Sequence, residues 1–327
     1  MAIGDTSNQH NNLDIIGDVH GYADVLRALL EKMGYINHGS EKYPNFRHPD
    51  QNRCAVFVGD FIDRGLKNLE TVRIVQTMVK TGSALAIMGN HEFNALLYHT
   101  KDPYTGEPLR PHTEKNQKQH QTFLDEMKEY PEETQEALKW FRTLPLYLEF
   151  PECRVVHACW HLPSLEIIRP LLTVNNVMTD SLLFKAARKG TAEYQSIETI
   201  LKGPELALPN GDSFTDPDGH VRHEIRLKWW TTNTRTYREA AQVDQTEQKF
   251  IPDTSLPKNA MDAFLQDDTM TFIGHYWLDG EPKKLSSNVT CVDYSVAKKG
   301  KLCAYRIGNS DNIPGIESGW VSVQSFD

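Results

Sequence analysis

Three short apolar runs near the start of the chain each lead into a glycine, and a potential metal ligand follows each glycine. The runs and the residues that follow them are 13–17 with Asp18, 54–58 with Asp60, and 84–88 with Asn90. A stretch with helical periodicity comes after each run. Strands that alternate with helices in this order predict an α/β sheet with parallel pairing, helices on its face, and loops at the carboxyl ends of the strands.

Helical periodicity is clearest after Gly21, where leucines recur at helical spacing and Gly34 stands where a helix commonly ends. A second amphipathic stretch follows Gly65, and a third covers 91–99. Further strand signals are at 146–150, 154–158, 270–273, 289–294 and 301–307.

The domain organisation follows from the segments between these signals. We interpret 1–12 as a loose polar tail and 13–327 as a single domain. Polar residues dominate one long connection, and proline and glycine punctuate another. We therefore expect two insertions, at about 100–142 and at about 163–250.

Composition and charge exclude several classes of protein. The net charge of −9 argues against general nucleic-acid binding and against anionic membrane surfaces, because both need basic patches. No apolar run approaches the roughly 18 residues that a membrane span needs, and the N-terminus lacks the apolar segment of a signal peptide. The five cysteines form no C-x-x-C pair, so a reducing, cytoplasmic location is expected.

Potential metal ligands also follow two later strand signals, at His157 and His275. Strand ends of an open sheet face one crevice, so ligands from five separate segments can converge there. The candidates are Asp18, His20, Asp60, Asn90, His91, His157 and His275. Mixed imidazole and carboxylate ligands suit manganese, iron or zinc. Seven candidates exceed the needs of one ion, so we predict two divalent metal ions that clamp a phosphoryl group.

Three blocks, GDVHG, GDFIDRG and GNHE, carry a resemblance to a known family. In this order they resemble the calcineurin-like metallophosphoesterase superfamily, and in particular its phosphoprotein-phosphatase-type branch. The resemblance implies a metallophosphoesterase fold in which two facing mixed β-sheets are flanked by helices. The result would be a four-layer sandwich with a helical insertion or cap, and the metals would lie at the carboxyl ends of the central strands.

The resemblance also implies a division of the ligands between the two ions. Asp18 and His20 would hold the first metal, and Asp60 would bridge both. The second metal would be held by Asn90, His157 and His275. A hydroxide bridging the metals would attack the phosphoryl group in line.

The remaining roles concern the substrate. The resemblance implies that Arg64 and Asn90 bind the phosphate, that His91 protonates the leaving oxygen, and that Asp63 orients His91. A second phosphate-binding arginine is expected before the last histidine. Arg222, Arg226 and Arg235 lie in that region, and Arg226 is favoured because it precedes the apolar run LKWW.

Several residues near the blocks have simpler interpretations. Glu92 is interpreted as a helix cap, because a carboxylate at a helix start favours the helix dipole. The basic stretch 110–121 is interpreted as a solvated face, with steering of an anionic substrate as the alternative. Core packing is the expectation for four tryptophans, with the cleft mouth as the alternative: Trp160, Trp229, Trp230 and Trp277.

The function expected from these residues is a two-metal phosphoester hydrolase. The leading interpretation is a phosphomonoesterase that acts on a phosphoprotein or a small phosphoester, and GNHE rather than GNHD favours it. The alternative is a dinucleoside polyphosphate hydrolase, a nucleotide-directed activity whose known members share the same blocks. A retired scaffold conflicts with the full set of ligands. A nuclease conflicts with the single histidine in GHYW and with the acidic balance.

Overall fold

A computed structural model describes residues 12–215, 219–231, 233–243, 245–264, 267–308 and 319–326. Within these residues the strands are β1 Asn12–Ile16, β2 Ile36–Asn37, β3 Phe46–Arg47, β4 Arg53–Phe57, β5 Ala84–Ala86, β6 Tyr147–Glu149, β7 Cys153–Val156, β8 Glu205–Ala207, β9 Phe214–Thr215, β10 Val221–Arg222, β11 Glu224–Arg226, β12 Met270–Ile273, β13 Val289–Cys291, β14 Asp293–Tyr294, β15 Lys301–Ile307 and β16 Trp320–Gln324. The helices are α1 Ala23–Lys32, α2 Asn68–Lys80, α3 Asn90–His99, α4 Glu114–Glu129, α5 Pro131–Phe141, α6 Leu162–Ile168, α7 Asp180–Ala186, α8 Ala192–Lys202, α9 Tyr237–Ala240 and α10 Gln245–Gln248.

Two mixed sheets form the centre of the molecule. In the first, the parallel strands β1, β4 and β5 are extended by β15, which pairs antiparallel with β1, β14 and β16. In the second, β12 pairs in parallel with both β7 and β13, and β6 is antiparallel to β7. The parallel β-α-β-α-β order predicted for the first hundred residues is confirmed.

The two sheets face each other across an apolar layer. Leu13 and Ile15 of β1 and Val56 of β4 belong to the same buried cluster as Val155 of β7 and Phe272 of β12. Side chains alternate across a strand, so the other face of β1 is directed away from the second sheet. The alternation in the sequence therefore sets which face of each strand enters the space between the sheets.

Helices cover the outer faces of both sheets. The buried face of α1 carries leucines, among them Leu26 and Leu29, and they cluster with Ile16 of β1. On the other side, Leu165 of α6 and Ile197 of α8 belong to the cluster that contains the outward-facing residues of β7 and β12. The order helix, sheet, sheet, helix is the four-layer metallophosphoesterase sandwich that the blocks predict.

The first expected insertion folds as α4 and α5 and packs against the body of the protein. Glu126 of α4 accepts hydrogen bonds from the backbone N–H groups of Asn68 (2.6 Å) and Leu69 (2.9 Å), which are the first residues of α2. Phe123 of α4 is fully buried. This helix therefore has one face on the core. Most of 110–121 is exposed, as the interpretation of a solvated face predicts, and His120 is the buried exception.

The second expected insertion contains short strands as well as helices. The strands β8 and β11 form one two-stranded sheet, and β9 and β10 form another. Ile225, Leu227, Tyr237 and Ile251 belong to a small apolar cluster of their own. The segment is thus a mixed cap rather than a purely helical one.

The expected tail at 1–12 lies almost wholly outside the described residues, and Asn12 is the first residue of β1. All five cysteines are buried and free. Among the residues that the structure describes, no helix has both the length and the apolar character to cross a bilayer.

A buried ionic network ties the first strand to the last part of the first sheet. The carboxylate of Asp14 accepts hydrogen bonds from Arg306 (2.7 and 2.9 Å), Arg53 (3.0 Å) and the hydroxyl of Tyr35 (3.1 Å). The side chains of Asp14, Arg53 and Arg306 are almost completely buried. Loss of the carboxylate would remove the negative charge that these two buried guanidinium groups contact.

We expect Asp14→Asn to lower the free energy of unfolding by about 3–5 kcal/mol, since it leaves buried charges uncompensated. Urea denaturation of the metal-free protein measures it. Lys128→Ala breaks an exposed pair with Asp125 and serves as the control, with a much smaller expected loss. Equal losses in the two variants would show that the network does not stabilise the fold.

Candidate metal centre and substrate cleft

The carboxyl ends of five strands bring the predicted ligands together. Asp18 follows β1, Asp60 follows β4, and Asn90 follows β5 as the first residue of α3. His157 follows β7 and His275 follows β12, so both sheets contribute to one edge. These five residues are all buried at that edge.

Left-handed backbone conformations direct several of these side chains. Non-glycine residues with positive φ are uncommon, and they persist where the surrounding structure holds them. Half of the twelve described examples lie at this edge: His20 (49°), Asp60 (54°), Asp63 (70°), Arg64 (72°), His275 (70°) and Trp277 (52°). The turns after the strands are therefore strained in order to aim functional groups at a common point.

Two glycines are required by close approach of these turns. A Cβ atom on Gly89 would lie 2.2 Å from Oδ1 of Asp60, and one on Gly274 would lie 2.0 Å from Oδ1 of Asp18. Neither carboxylate can move without losing its position in the cluster. This explains physically why a glycine precedes Asn90 and His275.

Asp60 lies at the centre of the cluster. Its Oδ1 accepts a hydrogen bond from the backbone N–H of His91 (2.9 Å). Its Oδ2 faces three imidazoles, and the distances to Nε2 are 3.7 Å for His20, 3.4 Å for His157 and 3.9 Å for His91. Atoms that bind one ion at about 2 Å lie roughly 3–4 Å from one another, so these spacings leave room for a cation.

Backbone carbonyls fix which ring nitrogen of each histidine faces the cluster. Nδ1 of His157 donates to the carbonyl of Val58 (2.7 Å), and Nδ1 of His20 donates to the carbonyl of Ile62 (3.1 Å). Both rings therefore direct Nε2 at the cluster. This is the arrangement in which a second hydrogen bond orients a metal-ligating histidine.

Three buried polar atoms in the cluster have no hydrogen-bond partner: Oδ1 of Asp18, Nε2 of His20 and Nε2 of His275. Unpaired buried polar atoms are costly, and a cation would satisfy them. Burial raises the pKa of Asp18, and the nearby carboxylates of Asp293 and Asp60 add to that rise. These residues therefore fit divalent cations, which would compensate the buried negative charge.

The donor atoms fall into two groups that could each hold an ion. One contains His20, Asp60 and His91, and the other contains Asp60, His157 and His275. Asp60 belongs to both groups, as expected of a bridging ligand. Asn90 lies beside the second group, with its Oδ1 3.1 Å from Nε2 of His157 and 2.7 Å from Nδ1 of His275.

His91 is held by Asp63. Nδ1 of His91 donates to Oδ2 of Asp63 at 2.5 Å. Burial opposes ionisation of both groups, but their mutual attraction outweighs it. The pKa of Asp63 lies well below its ordinary value because His120 and His91 donate to it, and Asp60 and Asp63 raise the pKa of His91. A histidine that holds a proton beside the cluster can donate it to a leaving oxygen.

Glu92 is engaged entirely with backbone groups. Its Oε2 accepts from the N–H groups of Asp60 (2.8 Å) and Gly89 (3.0 Å), and its Oε1 accepts from that of Phe61 (2.8 Å). Burial raises the pKa of this carboxyl to about 7. The residue caps α3 and ties the second block to the third, as the capping interpretation predicts.

A cleft of about 530 Å³ extends outward from the cluster. Asn90, His91 and His275 lie at its base. Seven arginine and lysine side chains line it, against two carboxylates, those of Asp63 and Glu198. The basic residues are Arg64, Arg110, Lys115, Lys189, Lys202, Arg222 and Arg226.

The predicted phosphate-binding arginines differ in position. Arg64 is exposed, and its guanidinium lies 5.2 Å from the ring centre of Trp277. Arg226 is partly buried and its Nη2 lies 3.4 Å from Oε1 of Glu205. Arg222 lines the same cleft, whereas Arg235 is exposed and is not among the described residues that line it.

The tryptophans divide between core and cleft. Trp160, Trp229 and Trp230 are buried, as the packing interpretation predicts. Trp277 instead lines the cleft. The centre of its ring lies 5.5 Å from the centre of the His20 ring. Its position in the turn is held by Asp293, whose Oδ2 accepts from the backbone N–H of Trp277 at 2.7 Å.

Three residues at the site had no individual role predicted from the sequence, although two of them lie in the stretch 110–121, for which steering of an anionic substrate was the alternative. His120 donates to Asp63, Arg110 lines the cleft, and Asp293 holds the turn that carries Trp277. The first two lie in the polar insertion, where no periodic pattern or motif distinguishes them from surface residues. The excess of basic and histidine residues in 110–121 was the one available signal.

Comparison with known proteins bears on this site. The sequence model of the family described as calcineurin-like phosphoesterase matches residues 12–191. A bis(5'-nucleosyl)-tetraphosphatase PrpE (asymmetrical) of Halalkalibacterium halodurans is 37% identical over 150 residues, or 44% of this chain and 54% of the relative. A symmetrical bis(5'-nucleosyl)-tetraphosphatase of Psychromonas ingrahamii is 30% identical over 147 residues, or 44% of this chain and 42% of the relative.

The chain thus spans about half the length or less of these curated relatives. Among solved structures, a cold-active protein-tyrosine phosphatase of a psychrophilic Shewanella is 18% identical with a TM-score of 0.46. That match covers 90% of this chain and 75% of the other.

We expect Asp60→Ala to abolish binding of both ions, because Asp60 is common to both donor groups. His275→Ala should weaken the binding of one ion only, because His275 belongs to one donor group. Metal content after loading with manganese and gel filtration measures both effects. Excess manganese should also raise the thermal midpoint of the unsubstituted protein more than that of either variant, because a ligand stabilises the state it binds.

Asp253→Ala provides the control, since Asp253 is an exposed carboxylate paired with Arg238 away from the cluster. Its metal content should equal that of the unsubstituted protein. Full metal content in Asp60→Ala would show that the cluster is not the metal site.

Proposed function

The chain belongs to the calcineurin-like phosphoesterase family, and from this premise we propose that it hydrolyses dinucleoside polyphosphates. Membership makes it a phosphoester hydrolase of a family that uses divalent metals. The choice of substrate class is supported by one observation above all: the metal cluster opens into a cleft lined by seven basic side chains. The curated relatives described above are named as tetraphosphatases, which favours the same class.

The charge of the cleft is the physical basis for this substrate class. A phosphomonoester carries at most two negative charges, and metal ions at the cluster would compensate them. Basic residues farther out would then have no partner in the substrate. A polyphosphate chain carries further negative charge away from the reacting phosphorus, and guanidinium and ammonium groups match it. The excess of basic groups contrasts with the net charge of −9 over the whole chain.

The three sequence blocks imply which residues would hold the ions, and the donor groups contain four of them: His20, Asp60, His157 and His275. His91 also belongs to a donor group, but we assign it to proton transfer. Asp18 and His20 would hold one ion, Asp60 both, and Asn90, His157 and His275 the other. Such ions lower the pKa of a bound water and neutralise charge on the phosphoryl oxygens. Which of manganese, iron or zinc is native stays a prediction, as does a cytoplasmic location.

The substrate-facing residues have distinct tasks. Arg64 reaches the cleft over the face of Trp277 and binds phosphate oxygens through its guanidinium. His91 delivers a proton from Nε2 to the leaving oxygen, while Asp63 accepts from Nδ1 and keeps the ring oriented. Arg226 is the second phosphate-binding arginine of this scheme, since it lines the cleft beside His275.

The leading interpretation from the sequence, a phosphomonoesterase, relied on GNHE. Glu92 is fully buried, and both of its carboxylate oxygens are occupied by backbone N–H groups. It therefore has no free atom with which to select a substrate. The glutamate in this block gives no support for a phosphomonoesterase over a polyphosphate hydrolase.

Phosphorus NMR tests the substrate class directly. We expect the manganese-loaded protein to convert a dinucleoside tetraphosphate into nucleotide products, and to release phosphate from a phosphopeptide much more slowly. A chelated sample provides the control. Rapid release of phosphate from the peptide with an intact dinucleotide would favour the phosphomonoesterase.

Arg110 tests the role of the distal cleft. Its Nη2 donates to the neutral amides of Asn116 (3.0 Å) and Gln119 (2.7 Å), which hold the guanidinium in the cleft without cancelling its charge. A hydrogen bond to a charged group contributes about 1.5–3 kcal/mol. We expect Arg110→Gln to raise the KM for a dinucleoside tetraphosphate by about 10-fold or more.

The matched control is Arg142→Gln, because Arg142 is exposed and pairs with Asp180 outside the cleft. Steady-state kinetics on the tetraphosphate and on a simple phosphomonoester measure both variants. The loss in Arg110→Gln should be larger for the tetraphosphate. An equal loss on both substrates would contradict a distal phosphate site.

A further inference from the structure

Asp63 is bound by two histidines, not one. His91 donates from Nδ1 to Oδ2 (2.5 Å), and His120 donates from Nδ1 to Oδ1 (2.8 Å). The backbone N–H of Asp63 is in turn bound by Oδ1 of Asn68 (2.6 Å). Each carboxylate oxygen of this buried aspartate therefore has its own imidazole donor.

His120 is itself firmly placed. It lies on α4, is 5% exposed, and stacks on Phe123 with ring centres 4.9 Å apart and planes 29° apart. The edge of its ring meets Tyr98, and its Nε2 lies 3.3 Å from Nε2 of His99. Aromatic packing thus holds the ring of His120 in place independently of its hydrogen bond to Asp63.

We propose that His120 is a positioning residue for the proton donor His91 and acts through Asp63. A carboxylate held at one oxygen can rotate about its Cβ–Cγ bond, whereas one held at both oxygens cannot. By occupying Oδ1, His120 turns Oδ2 toward Nδ1 of His91. The imidazole of His91 then keeps its Nε2 directed at the cleft.

Charge balance supports the same role. Asp63 is buried, and a carboxylate with one unsatisfied oxygen would be costly there. The first insertion supplies the missing donor, because α4 is anchored to the start of α2 through Glu126. The insertion therefore completes the site that the three blocks begin. This role rests on the proposed hydrolysis with His91 as the acid.

Two variants at His120 separate positioning from simple packing. The amide nitrogen of asparagine lies as far along the side chain as Nδ1 of histidine, whereas that of glutamine lies one bond farther. His120→Asn can therefore donate to Asp63 from nearly the same position, and His120→Gln cannot. Both substitutions are polar and smaller than histidine, and asparagine is the smaller of the two. A packing defect alone would therefore affect His120→Asn at least as much as His120→Gln.

The decisive readout is the dependence of kcat/KM on the leaving group, measured with aryl and alkyl phosphates. Protonation matters most for poor leaving groups, and general acid catalysis contributes roughly 10²–10⁴-fold. We expect His120→Gln to lose about 10- to 100-fold on alkyl phosphates and less than about 3-fold on nitrophenyl phosphate. His120→Asn should recover most of the loss, and His91→Ala should show the same pattern more strongly.

Proton and nitrogen NMR of the histidine rings gives a readout independent of turnover. We expect two strongly deshielded Nδ1–H signals in the unsubstituted protein, one in His120→Gln and neither in Asp63→Asn. His112→Gln is the control, because His112 stacks on Tyr98 and does not contact Asp63. Both deshielded signals should persist in it.

The possible failures are distinguishable. If the metal-loaded protein turns over no phosphoester, the proposed function fails and this role fails with it. If turnover is normal and His120→Gln keeps the unsubstituted leaving-group dependence, only the positioning role is overturned. Equal losses in His120→Asn and His120→Gln would likewise assign His120 to packing.

Discussion

Asp60 carries a carboxylate into a fully buried position where imidazoles from two sheets converge on one of its oxygens. Such a group is stable only if cations and directed hydrogen bonds compensate its charge. The backbone N–H of His91 donates a hydrogen bond to Oδ1 of Asp60. The carboxylate of Asp60 also belongs to both groups of atoms that could hold a metal ion. The left-handed turns, the crowded glycines and the facing of the two sheets can all be understood as conditions for assembling this cluster.

The body of the sandwich and its two insertions divide the chemistry between them. The strand ends carry the residues that we propose as metal ligands. The insertions supply most of the basic groups of the cleft, including Arg110 from the first and Lys202 from the second. Under the proposed function, substrate choice would depend on segments that contribute none of the predicted metal ligands. A protein of net charge −9 concentrates positive charge in the cleft that we propose as the polyphosphate site.

In the proposed scheme, the first insertion contributes to both substrate binding and proton transfer. Arg110 precedes α4 and lines the cleft, while His120 on the same helix reaches Asp63. Both lie in a stretch whose sequence predicts a solvated surface, because the buried and exposed faces of α4 are both largely polar. Polarity predicted exposure, whereas hydrogen bonds to Asp63 and stacking on Phe123 compensate the burial of His120.

The sequence by itself determined the parallel start of the first sheet and the set of residues at its edge. These are local properties: an apolar strand, a glycine and a ligand follow one another within a few positions, and strand ends of one sheet must share an edge. The tertiary structure alone decided that His120 binds Asp63 across 57 positions and that Trp277 rather than Trp160 lines the cleft. It also decided that Glu92 reaches beyond its own helix to the backbone of Asp60 and Phe61. Those outcomes depend on how distant segments pack, and no periodicity along the chain encodes them.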